Sequence, residues 1–287
     1  PLAPLHHPPS LEALDASAAA WPDIPQVIVF DTAFHATLSE EARTYAIPAR
    51  WREEFGVRRY GFHGLSYAYC ARRAHQMLGA TDARKLIVCH LGQGCSAAAI
   101  VGERCVETTM GFTPLEGLVM ATRSGSLDPG VLLHLQRQHG LQPAEIEHAL
   151  NFQSGLLGLS GVSGDMRQVR AAADGGHEAA RLALRVYTRR IRLTIGALAA
   201  AMGGCDALVF TGGVGENDPR TRAEVCEGLS FLGVDLDDVR NASCTPDTDV
   251  ARSSSSARVL VIAAREDLTM LSEVRRLLGR SSDSAMP

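Results

Sequence analysis

Aromatic residues are scarce: Phe, Trp and Tyr together make up 5% of the 287 residues. The core must therefore be aliphatic, a composition that leans towards α/β layers. The net charge is −4 and no dense basic run occurs, which leaves no footprint for a nucleic-acid partner. The seven cysteines are odd in number and contain no C-x-x-C pair. That argues against a disulfide framework or a zinc site, and for small buried hydrophobes in a reducing compartment, the cytoplasm. No apolar run approaches the roughly 18 residues that span a bilayer, so no membrane partner is expected. The amino-terminal stretch, rich in Pro and His, does not read as a secretory signal. A Walker G-x-x-x-x-G-K-[ST] loop and a G-x-S-x-G nucleophile elbow are both missing.

What is present is 46% hydrophobic sequence, enough for one large domain or two smaller ones. Strands are expected at Gln26–Thr32, Leu86–Gly94, Ala97–Val101, Ala207–Gly213 and Arg258–Ala263. Helices are expected at Ser10–Ala20, Gly64–Leu78, Asp128–Gln138, Pro143–Leu150, Gly176–Met202, Thr221–Leu232 and Asp267–Leu278. In the longest of these, Leu182, Val186, Ile191, Ile195 and Leu198 recur near helical spacing. The Ser- and Thr-rich stretch Asn241–Ala257 reads as a loop, and the tail after Arg280 as disordered. Strands alternating with helices predict an α/β fold.

Three segments share a design in which glycines surround a polar or charged residue. They are HLGQGCS (His90–Ser96), SGDMR (Ser163–Arg167) and TGGVGEN (Thr211–Asn217). Glycine lets backbone N–H groups approach a phosphate without a Cβ in the way; each turn alone reads first as an ordinary strand exit, and three in one chain shift the balance. GQGCSA matches G-x-G-x-x-A after a strand, but AAAIV follows as strand and not helix, which weakens a dinucleotide reading. Asp31 ends a strand in FDTAFH, and His63 lies between glycines in YGFHG. Arg123 sits in the loop ATRSGSLDPG, where an arginine can neutralise charge on a transferring phosphoryl group. The plainer alternatives are a surface ion pair for Arg123 and a satisfied core histidine for His63.

Taken in order, these motifs resemble the acetate kinase family. The resemblance rests on APLHHPP (Ala3–Pro9), VFDTAFH (Val29–His35), RRYGFHG (Arg58–Gly64), HLGQGCS, TTMGFTPLEGLVMATRSG (Thr108–Gly125), SGDMR, FTGGVGEN (Phe210–Asn217) and RED (Arg265–Asp267). It implies the fold shared by acetate and sugar kinases, Hsp70 and actin: duplicated βββαβαβα domains around an interdomain cleft. Residues 1–32 would be a remnant of an incomplete first domain, and 33–266 the nucleotide-binding and dimerisation domain. Residues 267–287 would be a helix returning to the first domain plus a tail. The implied reaction is reversible phosphoryl transfer from ATP to acetate, giving acetyl phosphate and ADP, with Mg2+, in a homodimer. Propionate or butyrate in place of acetate, or a non-catalytic ATP-binding remnant, are the alternatives.

The resemblance also assigns roles. Asp31 matches an active-site aspartate, His63 and Arg123 match transition-state stabilisers, and His6 matches a histidine beside the transferred group. His90, Leu91, Gly92, Gln93 and Gly94 match a phosphate-contacting loop. Asp165, Met166 and Arg167, with Gly213, Val214, Gly215, Glu216 and Asn217, match nucleotide-binding segments, and Glu266 matches a magnesium ligand. Asp31 is expected to order metal-bound water or to hold Arg123, since an ionised acceptor needs no base. Departures are Gln93 for asparagine, Leu65 and Tyr67 for a hydroxyl and an imidazole in GFHGTSH, and Ser126 for a carboxylate. The chain starts at Pro1, and the N-x-G-S-S-S turn and a carboxylate-gripping arginine are missing. The resemblance therefore implies little or no activity for the 287-residue chain alone.

Overall fold

A computed structural model describes residues 7–79 and 82–279. His6 and the tail after Arg280 lie outside the described residues. Six strands form one mixed sheet in the order β3-β2-β1-β4-β6-β5. They are β1 (Lys85–Leu91), β2 (Cys95–Val101), β3 (Arg104–Thr108), β4 (Ala207–Thr211), β5 (Thr248–Asp249) and β6 (Arg258–Val261). β1, β2 and β3 make an antiparallel meander, while β4 runs parallel to both β1 and β6. The βββαβαβα order expected from the resemblance is observed, with the short strand β5 added before β6.

The near-continuous apolar character of β1 and β4 follows from burial on both faces. On one face, Leu86, Val88, Val209 and Leu260 pack with Tyr67, Cys70, Ala71 and Ala74 of the Gly64–Leu78 helix. On the other, Ile87, Cys89, Leu91 and Phe210 pack with Tyr187, Ile191 and Ile195 of the Glu178–Met202 helix. Residues one apart along each strand thus serve opposite layers.

The parallel register sets His90 beside Thr211 and Phe210 beside Val261. The carboxyl ends of β1, β4 and β6 therefore lie side by side, and the chain leaves them as HLGQG, TGGVGEN and the approach to RED. This is the edge at which open α/β sheets carry their ligands. Gly212 fits there with φ +79°, and a Cβ on it would stand 2.9 Å from the Leu91 carbonyl oxygen.

The expected strand at Gln26–Thr32 does not form. No described segment lies alongside to complete a ladder, and Ile28 and Phe30 stay 56% and 67% exposed. Apolar alternation alone cannot replace a pairing partner. The helix expected at Thr221–Leu232 is instead Pro219–Cys226, ended before Gly228 at φ +83°. The Asn241–Ala257 loop holds structure: the Asp238–Ser243 helix runs into it and β5 pairs with β6. The Arg258 guanidinium bridges Asp249 and carbonyls of 251 and 252 there.

Candidate active site

Asp31 is held where a helix begins. His63 N–H donates to its Oδ2 at 2.6 Å and Leu65 N–H reaches Oδ1 at 3.4 Å. Gly64 N–H donates to the Asp31 carbonyl at 3.0 Å. The Asp31 carboxylate thus takes up amides at the start of the Gly64–Leu78 helix, where the helix dipole favours negative charge. His63 is the helix N-cap and adopts φ 58°, a left-handed conformation uncommon for a residue with a side chain. A side chain on Gly64 would collide with the Asp31 carbonyl oxygen, so glycine follows His63 for lack of space.

That turn projects His63 over β1 and β2. Its Nδ1 lies 2.7 Å from the Ser96 hydroxyl, and its ring stacks on His90 with centroids 4.2 Å apart. His90 is fixed in turn by the Ser66 hydroxyl, 2.9 Å from its Nδ1. Burial, with the neighbouring His63, pushes the His90 imidazole down to about 3. His90 is therefore neutral at physiological pH and offers no charge.

Arg123 arrives from the loop after TMGFTPLEG. The site a Cβ on Gly94 would occupy lies 3.4 Å from His63 Nε2 and 3.5 Å from an Arg123 terminal nitrogen, so the two side chains converge over this glycine. The half-buried Arg123 guanidinium donates to the Pro114 carbonyl at 3.2 Å and touches the Met120 sulfur at 3.8 Å. Among the described residues it forms no ion pair, with Asp31 or any other carboxylate, and burial pulls its affinity for the proton down. A cation taken from water without a counter-ion is poised for an anionic ligand.

The long string TMGFTPLEG builds the support for Arg123. Glu116 accepts from Tyr45 and, at 3.0 Å, from Arg59, whose guanidinium also reaches the carbonyls of Thr109 and Met110. Ser126, where the resemblance has a carboxylate, accepts from Gly117 N–H at 3.0 Å. Gln93 is exposed, and its carbonyl accepts from Ala121 N–H at 3.1 Å.

The remaining candidates divide. The Asp165 carboxylate caps the Met166–Asp174 helix at Arg167 N–H and pairs with the exposed Arg167 side chain, while Met166 is buried. Glu216 Oε1 accepts from Gly212 N–H and Ala264 N–H, both at 3.0 Å, and so clips the end of β4 to the chain after β6. Asn217 donates to the Gly213 carbonyl at 2.9 Å. Gly213 is exposed, and a Cβ on it would meet nothing within 4 Å. Val214 is half-buried and Asn217 exposed, and the segment expected as a turn is a short helix, Gly212–Asn217. Glu266 opens the last helix, Glu266–Leu277. Its carboxyl is pushed up by burial and then by the charge of Asp31, so the two carboxylates sense one another.

Sequence reasoning missed Arg222. It is 1% exposed and donates to Asn241 and to the carbonyls of Gly215 and Glu216 at 2.8 Å, fastening the GGVGEN turn from below. Ser66, Ser96 and Tyr67 were also not singled out as site residues. Only their contacts across the helix–sheet boundary reveal them.

Comparison with known families matches residues 1–272 to the acetokinase family. The chain belongs to the acetokinase family. It is 50% identical over 280 residues to an acetate kinase of Gloeobacter violaceus, covering 97% of this chain and 69% of the relative. It is 47% identical to one of Microcystis aeruginosa, covering 95% and 68%. Among solved structures, an acetate kinase of Porphyromonas gingivalis superposes with TM-score 0.91 at 43% identity, over 96% of this chain and 69% of that one. A propionate kinase of Francisella tularensis gives 0.89 at 38%, over 94% and 69%. These likenesses establish the fold as that of the acetate and propionate kinases.

Proposed function

We propose that this chain carries out reversible phosphoryl transfer between ATP and acetate, as a phosphotransferase with a carboxylate acceptor, and that alone, at 69% of the relative's length, it does so slowly. The observation that carries the reading is the convergence over Gly94 of His63 and an Arg123 that forms no ion pair among the described residues. Phosphoryl transfer asks a protein chiefly to position the reactants and to neutralise charge on the moving group. Arg123 supplies a fixed positive charge and His63 Nε2 a neighbouring polar contact. The backbone of His90–Gly94 lies beneath them, and the helix start at Asp165–Arg167 and the short helix holding Gly213–Asn217 receive the nucleotide.

A carboxylate acceptor with a pKa of about 4–5 is already ionised at neutral pH, so no general base is required. Asp31 agrees with that, because its carboxylate is committed to backbone amides and acts by position and charge. Asp31 and Glu266, the latter raised by burial and then by the charge of Asp31, would offer a magnesium ion two hard oxygen ligands, the type that ion prefers. When bound with the nucleotide, the ion draws negative charge from the phosphate oxygens. A homodimer in the cytoplasm completes the proposal. It is supported by exposed Leu182 and Leu193 along the long helix and by seven cysteines that are all free thiols.

The test is ATP formation from ADP and acetyl phosphate, read by luciferase, which detects slow turnover. ATP production that requires both substrates supports the reading; ADP binding without any ATP production supports a nucleotide-binding role alone. The likeness to a propionate kinase favours a parallel arm with propionyl phosphate. A higher kcat/KM in that arm would reassign the acceptor.

A further inference from the structure

Tyr67 is fully buried, one helical turn after His63, and its backbone N–H donates to the His63 carbonyl at 3.0 Å. Its hydroxyl meets the Ser96 hydroxyl in a short hydrogen bond, and Ser96 in turn lies 2.7 Å from His63 Nδ1. Ser96 is itself fully buried, on β2 directly opposite His90. The neighbouring imidazole of His35 does not compete for the phenol, because its ring nitrogens face the Cys105 sulfur and the Phe62 carbonyl.

We propose that Tyr67 is a positioning residue which, acting through Ser96, holds His63 in the tautomer whose proton sits on Nε2. The direction of the chain follows from satisfying buried protons. The phenol proton has Ser96 Oγ as its hydrogen-bonding partner, and a buried O–H left unpaired is costly. Tyr67 therefore donates to Ser96. Ser96 then turns its own proton towards His63 Nδ1, which accepts. The remaining imidazole proton is on Nε2, the nitrogen that stands over Gly94 beside Arg123. Nε2–H donates to an anion there, whereas the other tautomer would present a lone pair and repel it. Burial holds the phenol well above its ordinary range, so the donor at the head of the chain keeps its proton.

This inference deepens the phosphoryl-transfer reading, but its test needs no turnover. In protein carrying 15N-labelled histidine, His63 is expected to show a pyrrole-like Nε2 and a pyridine-like Nδ1, with the Ser96 hydroxyl proton protected from exchange. Tyr67→Phe removes only the oxygen; the ring keeps its contacts with Phe34 and His35, at centroid distances of 6.4 and 5.7 Å. It frees the Ser96 hydroxyl to rotate. The two His63 nitrogen shifts then move towards each other as the tautomers mix, and the hydroxyl proton exchanges with solvent. kcat for ATP formation falls by about two- to tenfold, the worth of one hydrogen bond, with KM for ADP unchanged.

Nitrogen shifts in Tyr67→Phe that match the unmodified protein overturn the proposal, whether or not activity falls. If Tyr67→Phe fails to fold, Ser96→Ala takes its place: it removes the donor to Nδ1 and must produce the same mixing. If the unmodified protein shows the expected shifts but makes no ATP, the functional reading fails and the positioning role stands.

Discussion

Two regions meet at the carboxyl edge of the sheet, and they are built on opposite plans. Around His63, His90 and Arg123, side chains point inward and touch one another or the space over Gly94, with Asp31 holding the amides of the His63 turn. Around the helix start at 165–167 and the short helix at 213–217, charged side chains are spent on holding backbone: Asp165 caps a helix, Glu216 clips two amides and Arg222 ties two carbonyls. The first region presents side-chain chemistry. The second presents main chain, shaped by polar groups that need never touch a ligand. A substitution in the first should therefore impair transfer with the fold intact, and one in the second should act through stability.

The largest separation is expected at Arg123. Arg123→Ala should lower the rate of transfer by about 10³-fold, the worth of one preorganised charge on the moving group. Its melting temperature should barely move, because the side-chain bonds lost among the described residues are to a carbonyl and a thioether. Assay and thermal unfolding on the same sample check both halves, and a large stability loss would break the comparison.

Arg222→Ala should do the reverse, costing about 3 kcal/mol of stability by leaving buried acceptors unpaired. Urea unfolding measures it, and the rate per folded molecule should fall less than for Arg123→Ala. Glu216→Ala strands the amides of Gly212 and Ala264 and should cost about 1–3 kcal/mol. If it instead abolished nucleotide binding at full stability, Glu216 would be a ligand group and the division between the regions would be wrong.

The smallest effect is expected at Glu266. Its carboxyl is raised in the folded chain, so its contribution to stability is fully present below the ordinary carboxylate range. That contribution is lost as pH rises through the raised value. Without a divalent ion, Glu266→Gln should then melt slightly higher than the unmodified protein at neutral pH, the gap closing as pH falls into the carboxylate range. Added magnesium should reverse the order, raising the unmodified protein more.

The sequence made β1, β2, β4 and β6 visible because they are apolar runs that end in glycine or lie between turn residues. β3 was not visible, since Arg104 and Glu107 break its apolar character while Cys105 and Thr108 are buried. Gln26–Thr32 was over-read for the opposite reason: its pattern is that of a strand, but pattern does not supply a partner. At the site, Asp31, His63 and Arg123 were legible as members of motifs, and the structure brings His63 together with Arg123 and with Asp31. The expected grip of Asp31 on Arg123 is not seen, because the turn at Gly64 spends that carboxylate on amides. Ser96 and Arg222 were silent, and Tyr67 showed only as a departure from the family's string. A lone hydroxyl or arginine acquires meaning only from what lies across a helix–strand contact.

The most direct measurement of the central claim is a pair of affinities that requires no turnover. Calorimetry with ADP and with a non-hydrolysable ATP analogue, on unmodified protein and on Arg123→Ala, isolates the contact with the terminal phosphate. If Arg123 faces the moving phosphoryl group, the analogue should bind about tenfold or more weakly to the variant, as expected for one charge-assisted hydrogen bond, while ADP affinity stays within about twofold. Equal losses for both ligands, or none for either, would contradict the account.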